Sequence, residues 1–270
     1  IEYARRLCWE GRRVDAAKWV DEALQIATPK VESVEQDKLW ARLLANAYAW
    51  DGELRPNVGD AKRAIKSLEE SWRIRSELSE LDRADAQLRH ELLVTGTKLS
   101  NALKSDGRLE ESKQVLREAV SHGEYLVEAD PDVATWSHDL FVAFQRMAVI
   151  DYQEGNVAEA RELCEKTIAM TDKLLQRETV NGIWISDRAY ALELRGSLAL
   201  MAGNLADALA DESETLRIRQ ALCDQNKGDL SLLARVDSSQ SWVGYCYRLM
   251  GNAPEALEHY TRAHEITGTL

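Results

Sequence analysis

The strongest constraint on this chain is a turn that it repeats six times. Gly155-Asn156-Val157-Ala158-Glu159-Ala160 has counterparts opening at Gly11, Gly59, Gly107, Gly203 and Gly251, and successive glycines stand 48 residues apart without slippage. A fixed period of this size, with helical sequence on both sides of the turn, is the mark of a stacked helical array. Two further columns keep the same register. Seven residues before each glycine stand Ala4, Gly52, Ser100, Ala148, Gly196 and Gly244; five after it stand Ala16, Ala64, Ser112, Ala160, Ala208 and Ala256. Small residues on both sides of a turn let two antiparallel helices approach closely where they cross.

Each unit therefore reads as helix, short turn, longer helix, and the class is all-α. The spacing of apolar residues predicts first helices over 36–51, 86–105, 133–153, 183–201 and 230–249. Second helices are predicted over 13–27, 60–79, 109–128, 157–176, 204–224 and 253–266. Residues 1–10 read as the second half of a helix, so the chain is expected to be a piece of a larger protein. Pro56 lacks a backbone donor and clashes with the preceding turn, so its helix is expected to stop near Asp51 and a loop to lead into Gly59. Thr28-Pro29-Lys30 marks another break. A column of large apolar residues opens the first helices (Trp40, Leu88, Trp136, Trp184, Leu232) and reads as packing between units, with an aromatic ligand-stacking ladder as the sharper alternative.

The glycine turn flanked by small columns, together with Ala23, Ala119 and Ala263 in a later small position, resembles the tetratricopeptide repeat (TPR). The resemblance runs from Ala4 through Ala263, with both helices longer than the usual repeat; Leu99, Met147 and Val243 suit its apolar position before the first small column, while Asp51 and Arg195 depart from it. Stretches such as Asp130-Pro131…Trp136 and Leu216-Arg217-Ile218-Arg219 resemble long-helix repeats appended to bacterial signalling proteins, notably serine/threonine kinases. The resemblance implies one right-handed α-solenoid of antiparallel helix pairs over residues 1–270, about five and a half repeats. It also implies a non-enzymatic scaffold that binds a protein or peptide along its concave groove.

Carried over position by position, the groove residues are Thr97, Asn101 and Lys104 in one first helix, Gln145 and Tyr152 in the next, then Tyr190 and Glu193, then Tyr245 and Arg248. Val94, Val142, Val149, Ser197 and Ser241 fall on the same faces. Their spacing of three to four residues within a helix keeps each set on one side. The family's lysine-and-asparagine clamp for a terminal carboxylate is incomplete, which argues against capture of a peptide C-terminus.

Other functions are disfavoured by composition and pattern. A net charge of −12 argues against a nucleic-acid backbone as the main partner, since phosphate binding needs a basic stripe. No apolar run is long enough for a membrane span. Four scattered cysteines read as reduced thiols of a cytoplasmic protein. His90, His122, His138, His259 and His264 form no metal-ligand spacing with them, and neither a phosphate loop nor a nucleophile elbow is present. No cofactor, metal or catalytic residue is therefore expected. Two rival readings stand beside the scaffold: a regulatory domain acting on a catalytic domain of its own protein, and a module that self-associates end to end.

Overall fold

In a computed structural model, which describes residues 2–177 and 181–269, the chain folds into α-helices with no strand among the described residues. The helices are α1 (Glu2–Trp9), α2 (Arg13–Ala27), α3 (Lys38–Leu54), α4 (Ala61–Leu81), α5 (Ala86–Ser105), α6 (Leu109–Ala129), α7 (Ala134–Glu154), α8 (Val157–Arg177), α9 (Gly182–Met201), α10 (Leu205–Gln225), α11 (Leu230–Leu249) and α12 (Ala253–Thr267). Ile1, the first residue of the expected opening helix, lies outside the described residues.

The repeated turn has one geometry. All six turn glycines adopt positive φ, between 77° and 84°. Each glycine N–H donates to the carbonyl three residues back, as from Gly155 to Tyr152 at 3.1 Å. The next N–H reaches five back, as from Asn156 to Asp151 at 2.8 Å. This is a Schellman close, which satisfies carbonyls that the end of a helix would leave unpaired. A Cβ at Gly155 would meet no atom within 4 Å, so the demand for glycine comes from φ alone. Gly155→Ala is expected to cost about 1 kcal/mol through left-handed strain; denaturant unfolding that showed no loss would contradict this.

The helices group into two compact units, Ile1–Ala143 and Phe144–Leu270. Within the first, each helix packs on its neighbour in sequence from α1 to α6; within the second, the same holds from α8 to α12. In both, one contact recurs: the small column before the turn receives the side chain nine residues after it. A Cβ on Gly52 would lie 2.5 Å from Leu68 Cγ, and one on Gly244 would lie 3.1 Å from the Tyr260 ring. The glycine makes the helix crossing close enough for a large side chain to lie on bare backbone.

Neighbouring positions explain the two departures from the apolar column. Asp51 is fully buried, and Arg55 Nε at 2.6 Å, Arg63 Nε at 2.9 Å and Ser67 Oγ at 2.6 Å all donate to it. Arg195 grips Asp211 with two bonds of 2.9 and 2.7 Å. Where the unit of Gly107 places apolar residues in one core cluster, Leu99 with Val115, these two have exchanged both members for polar ones.

The expectation at Pro56 needs correcting. α3 does not stop at Asp51 but runs to Leu54 and tightens into a 3-10 turn over Arg55–Val58. The missing proline donor is tolerated because the turn changes its bonding, while the Asp51–Arg55 pair one turn apart holds the continuation. Thr28–Lys30 is likewise a short 3-10 turn. Four of the five large residues opening the first helices pack inward: Leu88 and Trp184 are buried, and Trp40 and Leu232 lie against core clusters, while Trp136 is half-buried.

Candidate interaction faces

Two sets of first-helix side chains carry the candidate site, one in each unit. In the first unit, α5 bears Thr97, Asn101 and Lys104. Thr97 is only 6% exposed and its hydroxyl donates to the Leu93 carbonyl at 2.7 Å, so it has little to offer a ligand. Asn101 is exposed and Lys104 half-buried. Along α5, from its start up to Lys98, runs a ladder of ion pairs between neighbouring first helices. Arg42 of α3 reaches Asp85 at 2.9 Å and Glu91 of α5 at 3.4 Å, while Glu53 of α3 pairs with Lys98 of α5. His90 meets Asp139 at 2.6 Å. Beneath them the buried Arg75 donates to Asn46 at 2.6 Å and to Thr95. Sequence reading leaves His90 as a histidine outside any metal set and does not foresee these ion pairs, although Arg42–Asp85, Arg42–Glu91, His90–Asp139 and Glu53–Lys98 lie 43 to 49 positions apart, close to one period.

In the second unit the six candidates fare differently. Tyr152 is partly buried against Ala148, Ala160, Cys164 and Leu198, and is a packing residue as much as a surface one. Gln145 is half-buried, and its Nε2 is enclosed without a hydrogen-bond partner. Tyr190 is 36% exposed; burial of the rest and the nearby Glu193 carboxylate push its phenol pKa up. Glu193 accepts a fork from the buried Arg219, at 2.9 and 2.8 Å, and Arg219 also donates to Ser239 Oγ at 2.8 Å. On α11 three side chains stack in series. The Trp242 ring stands edge-on to Tyr245 at 5.8 Å, and the Arg248 guanidinium lies 5.0 Å from the Tyr245 centroid. Trp242, partly exposed here, is not among the candidates; its place in a three-residue spacing with Tyr245 and Arg248 was the available signal.

Arg75 and Arg219 occupy equivalent positions sixteen residues after their turn glycines, and the hydroxyls they bond, Thr95 and Ser239, are equivalent too. Both guanidiniums are nearly enclosed and hydrogen-bonded to the first helices. They act as struts that fix Asn46 and Glu193 from below. A depression of about 380 Å³ elsewhere in the second unit has an apolar floor including Leu175, Ile185, Ile218 and Leu222. Its rim is closed by Arg188 bonded to Asp172 at 2.6 Å and Glu214 at 3.2 Å, and no candidate residue borders it. Among the described residues no cluster of three or more histidine, cysteine or acidic side chains could hold a metal. No helix among them is long and apolar enough to cross a membrane.

No protein-family profile and no curated protein matches the sequence. Solved structures do. BtubC (BKLC) from P. vanneervenii superposes with a TM-score of 0.66 at 18% identity, covering 93% of this chain and 91% of that one. The fold is TPR-like. A putative kinesin light chain with nearly identical TPR-like repeats, from Podospora anserina, aligns with a TM-score of 0.59 at 16% identity over 85% of this chain and 96% of that one. These TPR-like neighbours bear out the all-α solenoid class and the resemblance drawn from the glycine turn and its small columns.

Proposed function

We propose that this chain is a non-enzymatic interaction module whose first-helix faces bind a protein or peptide. The carrying observation is the set of side chains that helix stacking leaves exposed or half-buried: the Trp242–Tyr245–Arg248 series, with Tyr190 and Glu193 on the neighbouring first helix. Aromatic and guanidinium groups held in place by their neighbours are the usual anchors of a binding face, because little conformational entropy remains to be lost. Stacking consumes the apolar faces of TPR-like repeats and leaves extended surfaces of this kind, which supports the reading. We further propose that the six turns form one continuous array in a cytoplasmic protein, and that Asn101, Lys104 and Gln145 contribute polar contacts.

The test is capture from lysate of the source organism, followed by calorimetry with the protein identified. A variant combining Tyr190→Ala, Tyr245→Ala and Arg248→Ala, shown by circular dichroism to remain helical, is expected to bind at least about 30-fold more weakly, the scale of one lost anchor. Equal binding by both forms would move the site off these faces. One observation favours a second reading, self-association: Trp9 is 87% exposed and shares the first helix pair with exposed Tyr3, Val14 and Trp19. That reading predicts a sedimentation coefficient that rises with concentration and stops rising in Trp9→Ser.

A further inference from the structure

Glu212 of α10 stands in the column nine residues after the turn, where the other units carry Val20, Leu68, Leu116, Cys164 and Tyr260. Its side chain occupies the place that Leu68 takes against Gly52: a Cβ on Gly196 of α9 would lie 3.0 Å from its Oε1. It is 0% exposed, and neither carboxyl oxygen has a hydrogen-bond partner. An acid enclosed in this way cannot hold its charge as water would let it.

The charged and titratable groups that face it come from three helices. α9 presents Glu193, already held by Arg219. α10 itself presents Arg219, and Asp211, which is spent on Arg195. α11 presents the buried Cys246 thiol, whose pKa is raised to about 11 by burial and by Glu212. The cation that faces Glu212 among the described residues, Arg219, is thus already forked to Glu193, a residue of the candidate face.

We propose that Glu212 is a buried proton-binding residue whose charge decides whether Arg219 serves Glu193 alone or is shared between two carboxylates. With the proton on, Glu212 is a neutral filler against Gly196 and the Arg219–Glu193 fork is whole. With the proton lost to water, one guanidinium faces two carboxylates, the fork loosens, and the face bearing Glu193 and Tyr190 gains one negative charge. Burial, then Glu193, raise the pKa of Glu212 to about 8, so the exchange falls in the physiological range. The device lies under the face proposed to bind a partner, but its test needs no partner, so the two proposals fail separately.

The experiment is a titration of the whole chain from acid to mildly alkaline pH by NMR, with 13C in glutamate carboxyls and tyrosine rings. One glutamate signal is expected to titrate near pH 8, about three and a half units above a free glutamate, and to vanish in Glu212→Gln. The Tyr190 ring signal should move with the same midpoint and stay flat in Glu212→Gln. Glu193→Gln removes the like charge and frees Arg219, so the Glu212 midpoint should fall by at least about one unit. If Glu212→Gln loses its fold, Glu212→Leu, which copies Leu68 on Gly52, replaces it. A Glu212 that titrates with ordinary glutamates, or a Tyr190 signal indifferent to its titration, overturns the proposal.

Discussion

Replacing Glu212 by leucine is expected to stabilise the protein by about 3 kcal/mol at pH 7. The folded state holds the Glu212 proton to about pH 8, whereas a free glutamate releases it near its model value of 4.5. Folding at neutral pH therefore requires taking up a proton that the unfolded chain has already lost. Because the folded pKa is the higher one, stability falls as pH rises from about 4.5 to about 8 and is level above it. The advantage of Glu212→Leu should grow across that window. In acid only the smaller penalty of a neutral carboxyl without hydrogen bonds remains. Leucine is already accepted on a bare glycine at the equivalent contact of Leu68 with Gly52. Melting temperatures of parent and variant measured between pH 5 and pH 9 check the claim; a variant that melts lower throughout would sink it.

The opposite outcome is expected at Asp51. This carboxylate is fully buried and accepts from Arg55, Arg63 and Ser67, and Asp21 takes the far side of the same two arginines. Asp51→Ala takes from the buried Arg55 its buried counter-charge and leaves it the more exposed Asp21, and removing one member of such a network costs about 3–5 kcal/mol. The loss should be local at first. Hydrogen exchange is expected to quicken in α3, in the 3-10 turn that follows it and in the start of α4, before the rest of the first unit responds. A variant with unchanged exchange there would show that the arginines find water at little cost.

The turns and the crossings were legible because one residue type suffices for each. A positive φ demands glycine, and a close approach demands a small side chain, so both leave columns in the sequence. Polar substitutions within the core were half legible. Asp51 and Arg195 stand out against Leu99, Met147 and Val243, but their meaning lies sixteen residues on, in Ser67 and Asp211, and only the fold shows that the two columns touch. Glu212 could have been found by extending the alignment four positions beyond the small column that holds Ala208. The faces were least legible, because a helix turned by one position decides between exposure and burial. Thr97 was assigned to the groove and instead bonds its own helix; Glu193 reaches the surface only with Arg219 attached.

The crossing contact of Leu68 with Gly52 has a kinetic meaning. Its two members are sixteen residues apart along the chain, and Tyr260 with Gly244 and Glu212 with Gly196 repeat that separation. Closing so short a loop takes little entropy and can happen within microseconds. A helical hairpin of this kind can therefore dock its own crossing before any distant segment arrives. A chain whose contacts are this local is a fast folder for its length, able to start at several hairpins and spread to neighbours. The glycines that hold the turns thus also set where folding can begin.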